Sequence, residues 1–336
     1  MRLVYLADSL DMLPLRFEEI YQERVWGGRE LEKLYRRSLP CEGVPYGEAW
    51  EISDRAEAQS VVISDGGEFA GMTLNQLWSD EAMRTKLFGD DLGVWGGRFP
   101  LLVKILDCRE DLSVQVHPPA ERAAELGGES KTEMWYVAGV DQGAKLYAGV
   151  KQDVTKDGFE KALNEGSVAE QLHRIEANVG ESIFIPSGRL HAIGAGHLIY
   201  EVQENSDTTF RVFDWNRLGL NGEPRELHVE QSMACINFDD KEPSMDTPYD
   251  NGTGGKTLAC CEYFQVDELE LELGVEFGNI DVERFSIITV VSGELKDAAD
   301  RVYVAGDFMI LPRGESKLCV TKDAKVLQTI IPKVCP

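Results

Sequence analysis

Cations are scarce in this 336-residue chain, which carries 34 Lys and Arg against 59 Asp and Glu for a formal net charge of -25. So negative a surface repels polyanions, which excludes nucleic acid and anionic membranes as partners and admits an anionic small molecule only where cations cluster locally. Long apolar runs are also missing. No stretch approaches the roughly 18 consecutive apolar residues of a membrane span. The segment Met1 to Glu19 has acidic residues where a signal peptide needs an uninterrupted apolar core. A soluble, unexported protein is expected. The seven cysteines, at 41, 108, 235, 260, 261, 319 and 335, are odd in number and contain no C-x-x-C pair. That pattern suits reduced thiols in a cytoplasm. Histidine is sparse as well, with none after His228.

What is present is a phrase stated twice. Gly180-Glu-Ser-Ile-Phe-Ile-Pro186-Ser-Gly188-Arg-Leu-His191 reads G-x5-P-x-G-x2-H, and Gly306-Asp-Phe-Met-Ile-Leu-Pro312-Arg-Gly314-Glu-Ser-Lys317 repeats it 126 positions later, from Gly180 to Gly306. A Gly-acid turn, a short apolar strand and a Pro-x-Gly turn are the signature of the second half of a small β-barrel. The first copy ends in a histidine, which can bind a metal, and the second in a lysine, which as an ammonium cannot. One barrel is therefore expected to be chemical and the other structural.

Short apolar or alternating runs bounded by Gly, Pro and Asp predict a mainly β protein of two barrels. The runs are 60–64, 101–106, 112–116, 135–137, 182–185, 198–202, 285–291, 308–311 and 326–331. Thr73-Leu-Asn-Gln76 reads as a capping box opening a helix to about Phe88, and Ser167-Val-Ala-Glu170 as another. The spacing of Phe159, Leu163, Leu172 and Ile175 predicts two short amphipathic helices within 153–177. The expected organisation is a metal-binding domain over 1–240, with helical insertions near 73–88 and 153–177. An aperiodic linker follows over 241–256, and a barrel without metal ligands over 257–336.

Alternation along Leu112-Ser-Val-Gln-Val-His117 places Gln115 and His117 on one strand face. Glu133 opens another strand and His191 follows the Pro-x-Gly turn. An amide oxygen, two imidazoles and a carboxylate without thiolate suit zinc, and by ligand type also manganese, iron, nickel or cobalt.

Four pieces, Gln115-Val-His-Pro118, Lys131-Thr-Glu-Met-Trp135, Pro186-Ser-Gly-Arg-Leu-His-Ala-Ile-Gly194 and Ser206-Asp-Thr-Thr-Phe-Arg-Val-Phe-Asp-Trp215, occur in this order. Together they resemble the type I mannose-6-phosphate isomerases, in their compact bacterial form. Val25-Trp-Gly-Gly28 and Gly47-Glu-Ala-Trp-Glu-Ile-Ser53 extend the resemblance to roughly residues 15 to 237. It implies a jelly-roll cupin and one zinc ion per chain, held by Gln115, His117, Glu133 and His191. It also implies interconversion of mannose 6-phosphate and fructose 6-phosphate. The interval from His117 to Glu133 is longer than in ordinary cupins, as it is in this family.

Moving a carbonyl between two carbons needs a base and stabilisation of an enediolate. Glu201 shares a strand face with Ile199 and Gln203 and is the candidate base, with Lys131 or His191 as proton shuttles. Arg211, in Phe210-Arg-Val-Phe213, requires an anionic partner, either a structural one at Asp207 or Asp214 or the substrate. Lys104, Lys131 and Arg211 form the expected cationic cluster, with Lys104 and Arg211 toward the substrate and phosphate. Arg189 and Arg217 are weaker candidates. Rival functions are a non-catalytic sugar-phosphate-binding cupin, a glucose-6-phosphate isomerase and a metal-dependent oxygenase.

Overall fold

The computed structural model describes residues 12–333. It is mainly β. A six-stranded antiparallel sheet runs in the order Ile20–Gly28, Tyr46–Ile52, Leu101–Cys108, His197–Glu204, Glu133–Val140, Ser182–Ile185. Facing it is a five-stranded sheet of Phe210–Phe213, Val114–Val116, His191–Ile193, Leu146–Val150 and Leu172–Ile175. Between them lies an interior that is apolar toward Trp26, Leu106, Val137, Ile183 and Ile199. Its remaining part carries charge.

The second half is an eight-stranded sheet whose core is filled by side chains such as Ile288, Val290, Tyr303, Met309 and Val326. Among the described residues each half is built of open sheets rather than a closed hydrogen-bonded ring. The outer face of the six-stranded sheet shares one hydrophobic cluster with the second half, where Ile105, Met134 and Tyr200 join Phe264, Val266, Ile287 and Phe308. Arg37 adds a polar tie, pairing with buried Glu51 and donating to the Gly306 carbonyl at 2.6 Å.

The two copies of the repeated phrase fold alike. Gly180 and Gly306 have φ of 92° and 88°, a left-handed turn that a Cβ would strain. The strands Ser182–Ile185 and Phe308–Leu311 follow, and both end at turns where Gly188 and Gly314 again have positive φ.

Several local expectations change. Thr73 forms the predicted capping box, but its helix ends at Ser79, and Asp80 caps a second helix over Glu81–Leu87. One helix of the 153–177 pair exists, Lys156–Asn164, capped by Thr155. The other does not. Ser167 caps nothing with its side chain, Val168–Glu170 is a single 3-10 turn, and Leu172–Ile175 is a strand against Leu146–Val150. Leu172 and Ile175, three residues apart, are buried in two different hydrophobic clusters, and a strand covered on both faces so imitates helical spacing. Residues 60–64 make only isolated bridges at Val61 and Val62 rather than a strand.

The aperiodic segment after Asp239 is a strap. Lys241 bridges Val150, Asp246 hydrogen-bonds along the edge strand Ser182–Ile185, and Tyr249–Asp250 pairs with Lys256–Cys260. Cys41, Cys108, Cys235, Cys261 and Cys319 are free thiols, whereas Cys260 is disulfide-bonded, which corrects the expectation of a wholly reduced set. Cys335 and the first eleven residues of the amino-terminal segment lie outside the described residues. No helix among those described is long and apolar enough to cross a membrane.

Candidate functional site

Two antiparallel registers assemble the site. On the five-stranded sheet, Gln115 lies opposite His191 on one side and Arg211 on the other, so all three side chains rise on one face. On the six-stranded sheet, Lys104, Glu201 and Trp135 form one row across three strands, and Gln203 and Glu133 form the next. His117 closes the gap from the end of Val114–Val116. The ligand atoms of His117, Glu133 and His191, all buried, lie within 4.8 Å of one another.

These three residues fit a metal ion. Each Nε2 is 3.5 Å from a different oxygen of Glu133, close to the roughly 3.4 Å edge of a tetrahedron about an ion bound at about 2.0–2.1 Å. His117 Nδ1 lies 2.8 Å from the Thr208 carbonyl and His191 Nδ1 2.9 Å from the Arg189 carbonyl. An N–H donated there leaves each Nε2 as an acceptor toward the centre, where His117 meets Lys131 Nζ and His191 meets the Gln115 amide nitrogen, both at 3.3 Å. Burial, aided by the Lys131 ammonium, pushes His117 down to about 3, and burial also lowers His191, so both imidazoles are neutral, as ligands must be.

Burial alone would raise the Glu133 pKa, but the Lys131 ammonium and the imidazoles hold it well below the usual carboxylate range. Both its oxygens are buried without a hydrogen-bond donor. Lys131 Nζ stands 2.7 Å from one of them, outside hydrogen-bond geometry. A buried carboxylate needs compensating charge, which Lys131 supplies on one side, while neither oxygen accepts a hydrogen bond. Gln115, expected from the sequence as a fourth ligand, stands beside them: its amide nitrogen is 3.3 Å from His191 Nε2, and a half-turn of the amide presents the oxygen instead.

Beside this centre is a cavity of about 550 Å³, lined by Gln115, Lys104, Lys131, Glu201 and Arg211 together with Glu48, Arg24 and Arg225. Glu201 accepts a 3.1 Å hydrogen bond from Trp135 Nε1 on Oε2, while Oε1 stands 3.5 Å from Lys104 and 3.9 Å from Lys131. Burial and the Glu133 charge raise its pKa above that of an ordinary glutamate. Arg211 has no carboxylate partner among the described residues. Asp214 instead pairs with Arg217 and Arg225. Arg211 keeps one hydrogen bond, 2.7 Å to the Glu226 carbonyl, and a buried Nε without an acceptor. The structural ion pair to Asp207 or Asp214 is therefore not made.

Arg189 and Arg217 are engaged elsewhere. Arg189 pairs with Asp240 and positions His191 through its carbonyl, and Arg217 braces Asp214. Sequence reasoning missed Glu48, Arg24, Trp50 and Arg225. The alternation of Tyr46–Ile52, with Glu48 and Trp50 two apart, was the available signal for two of them. Lys317, which takes the place of His191 in the second copy, is exposed and pairs with Glu276.

Residues 14–164 match the family model of the phosphomannose isomerase type I catalytic domain. The mannose-6-phosphate isomerase ManA of Bacillus subtilis is 36% identical over 312 residues, spanning 90% of this chain and 93% of the relative. The mannose-6-phosphate isomerase of Streptococcus mutans is 32% identical over 309 residues, spanning 89% of this chain and 92% of the relative. The crystal structure of the Bacillus subtilis mannose 6-phosphate isomerase superposes with a TM-score of 0.82 at 32% identity, covering 95% of this chain and 99% of the other. Near-complete coverage at this identity, with the His-Glu-His centre in place, leaves one assignment: the chain belongs to the type I phosphomannose isomerase family.

Proposed function

We propose that this enzyme interconverts mannose 6-phosphate and fructose 6-phosphate through an enediolate, in the cytoplasm, using one divalent ion, zinc by donor type, on Gln115, His117, Glu133 and His191. The observation that carries the reading is the common cavity, where a carboxylate of raised pKa, two ammonium groups and an arginine without a carboxylate partner among the described residues converge beside a buried His-Glu-His cluster whose carboxylate oxygens accept no hydrogen bond. A divalent ion there supplies Lewis-acid stabilisation of neighbouring substrate oxygens.

The remaining chemistry belongs to side chains. Glu201, fixed by Trp135, takes the proton from one carbon and returns it to the next. Its raised pKa matches a base that must also release the proton. Lys104 and Lys131 supply positive charge beside its free oxygen. Arg211, whose Nε has no acceptor, faces the anionic part of the substrate with Arg225 beside it on the cavity wall. Charge developing at oxygen is stabilised because these donors already line the cavity before substrate arrives.

A coupled assay for fructose 6-phosphate from mannose 6-phosphate, before and after chelation, tests the proposal. Chelator-sensitive turnover supports it. Saturable binding without turnover would make the protein a sugar-phosphate-binding module. Selective turnover of glucose 6-phosphate, or oxygen consumption, would assign one of the other rival enzymes.

A further inference from the structure

Lys104 is buried, yet its ammonium makes no hydrogen bond to any described residue. It is suspended between two carboxylates, 3.8 Å from Glu48 Oε2 and 3.5 Å from Glu201 Oε1, with its nitrogen 4.9 Å from the centre of the Trp50 ring. At these distances the carboxylates act on it as charges, so its N–H groups stay available to a sugar oxygen in the cavity that Lys104 lines. An ammonium with a carboxylate on one side only would close on that carboxylate.

Glu48 prevents this. It is held firmly, accepting from Trp50 Nε1 at 2.6 Å and from Arg24 Nε and Nη2 at 2.9 and 3.2 Å. Trp50 lies opposite Lys104 in the sheet register, and Lys104 lies opposite Glu201. Arg24, Glu48, Lys104 and Glu201 therefore form a row of alternating charge running inward from the cavity rim to the proposed base. The bond from Trp50 to Glu48 also sets the ring on which Lys104 rests.

We propose that Glu48 is a positioning residue of the isomerase reaction, balancing Lys104 against Glu201 so that Glu201 keeps a free oxygen for the proton and Lys104 keeps free donors for the sugar. The role rests on the isomerase reading above and acts only through Lys104. Glu48→Gln keeps the shape and the acceptor for Trp50 while removing the charge. Its expected effect is a fall in kcat of about tenfold or more with KM changed much less, since substrate binds to the other cavity groups.

The test is a double-mutant cycle of Glu48→Gln and Lys104→Met, read by kcat, KM and bound metal. In the Lys104→Met background, Glu48→Gln should alter kcat by less than about twofold, because the group through which it acts is gone. A structural role would make the losses multiply, and that result, or a single variant altered only in KM, overturns the proposal. Should Glu48→Gln not fold, Arg24→Met loosens Glu48 from the rim, and its smaller loss should likewise vanish beside Lys104→Met. Wild-type turnover of mannose 6-phosphate separates the two levels. Its absence overturns the isomerase reading and the role with it, whereas wild-type turnover with multiplying losses overturns the role alone.

Discussion

A carboxylate that both accepts and releases a proton, the role proposed for Glu201, needs its charged form disfavoured, and burial and the neighbouring Glu133 do this. Glu201→Gln preserves shape and the bond from Trp135 while removing basicity. Turnover should fall by at least about a hundredfold with metal and substrate still bound. Near-normal turnover, measured in the coupled assay, would move the base to Lys131 or His191. With wild type in heavy water, deuterium should enter the transferred position, and NMR of both hexose phosphates checks it. Arg211 differs in kind, because it has no carboxylate partner among the described residues and is proposed to meet the substrate. Arg211→Ala should cost about 3 kcal/mol in kcat/KM and leave the thermal midpoint nearly unchanged. A lowered midpoint with intact kinetics would return Arg211 to a structural role.

At the level of elements, close strand crossings explain residues whose purpose the sequence hides. A Cβ at Gly27 would sit 2.4 Å from the Gly47 nitrogen, and one at Gly28 would sit 2.2 Å from Asp107 Oδ1. Gly27 lets the strands Ile20–Gly28 and Tyr46–Ile52, which carry Arg24 and Glu48, approach closely, and Gly28 leaves room for the Asp107 carboxylate. Asp107 in turn accepts the Glu30 N–H at 2.6 Å and so caps the helix Glu30–Tyr35. Burial raises its carboxyl to about 6. Its folded pKa thus exceeds the unfolded value near 3.9, so the folded state binds more protons between these values and stability falls as pH rises through about 4 to 6. Asp107→Asn should flatten that slope in urea unfolding measured at several pH values. An unchanged slope would assign the dependence to other groups. Thr73→Ala should cost about 1 kcal/mol in the same measurement by removing the capping box, without altering KM. The capping signal was legible at Thr73 because cap and partner are three residues apart. The same pattern at Ser167 misled, since the following residues pair with the strand Leu146–Val150 and bury Leu172 and Ile175 in different clusters.

For the whole molecule, duplication of one phrase carries the proposal that the first half does the chemistry and the second supports it. The interior of the first half is lined by Lys104, Lys131, Glu133 and Glu201, whereas the second has an apolar cluster with Ile288, Val290 and Met309 and buries no lysine or histidine among the described residues. One divalent ion per chain should be found by elemental analysis, and His191→Ala should abolish it. Chelation should lower the thermal midpoint of the wild type and not of that variant, because an ion bound only to the folded state adds stability by mass action. Two ions per chain would refute this division.

The sequence by itself determined the turns of both repeats, the donor types of the metal centre and which residues share a strand face, because each depends on spacing within a few residues. Only the tertiary structure decided which charges are spent on one another. Asp214 is taken by Arg217 and Arg225, which leaves Arg211 to the cavity. Lys104 is balanced between Glu48 and Glu201, which come from different strands of one sheet. Electrostatic partnership depends on distance in space and on the loss of water around both groups, and neither is written in local order along a chain.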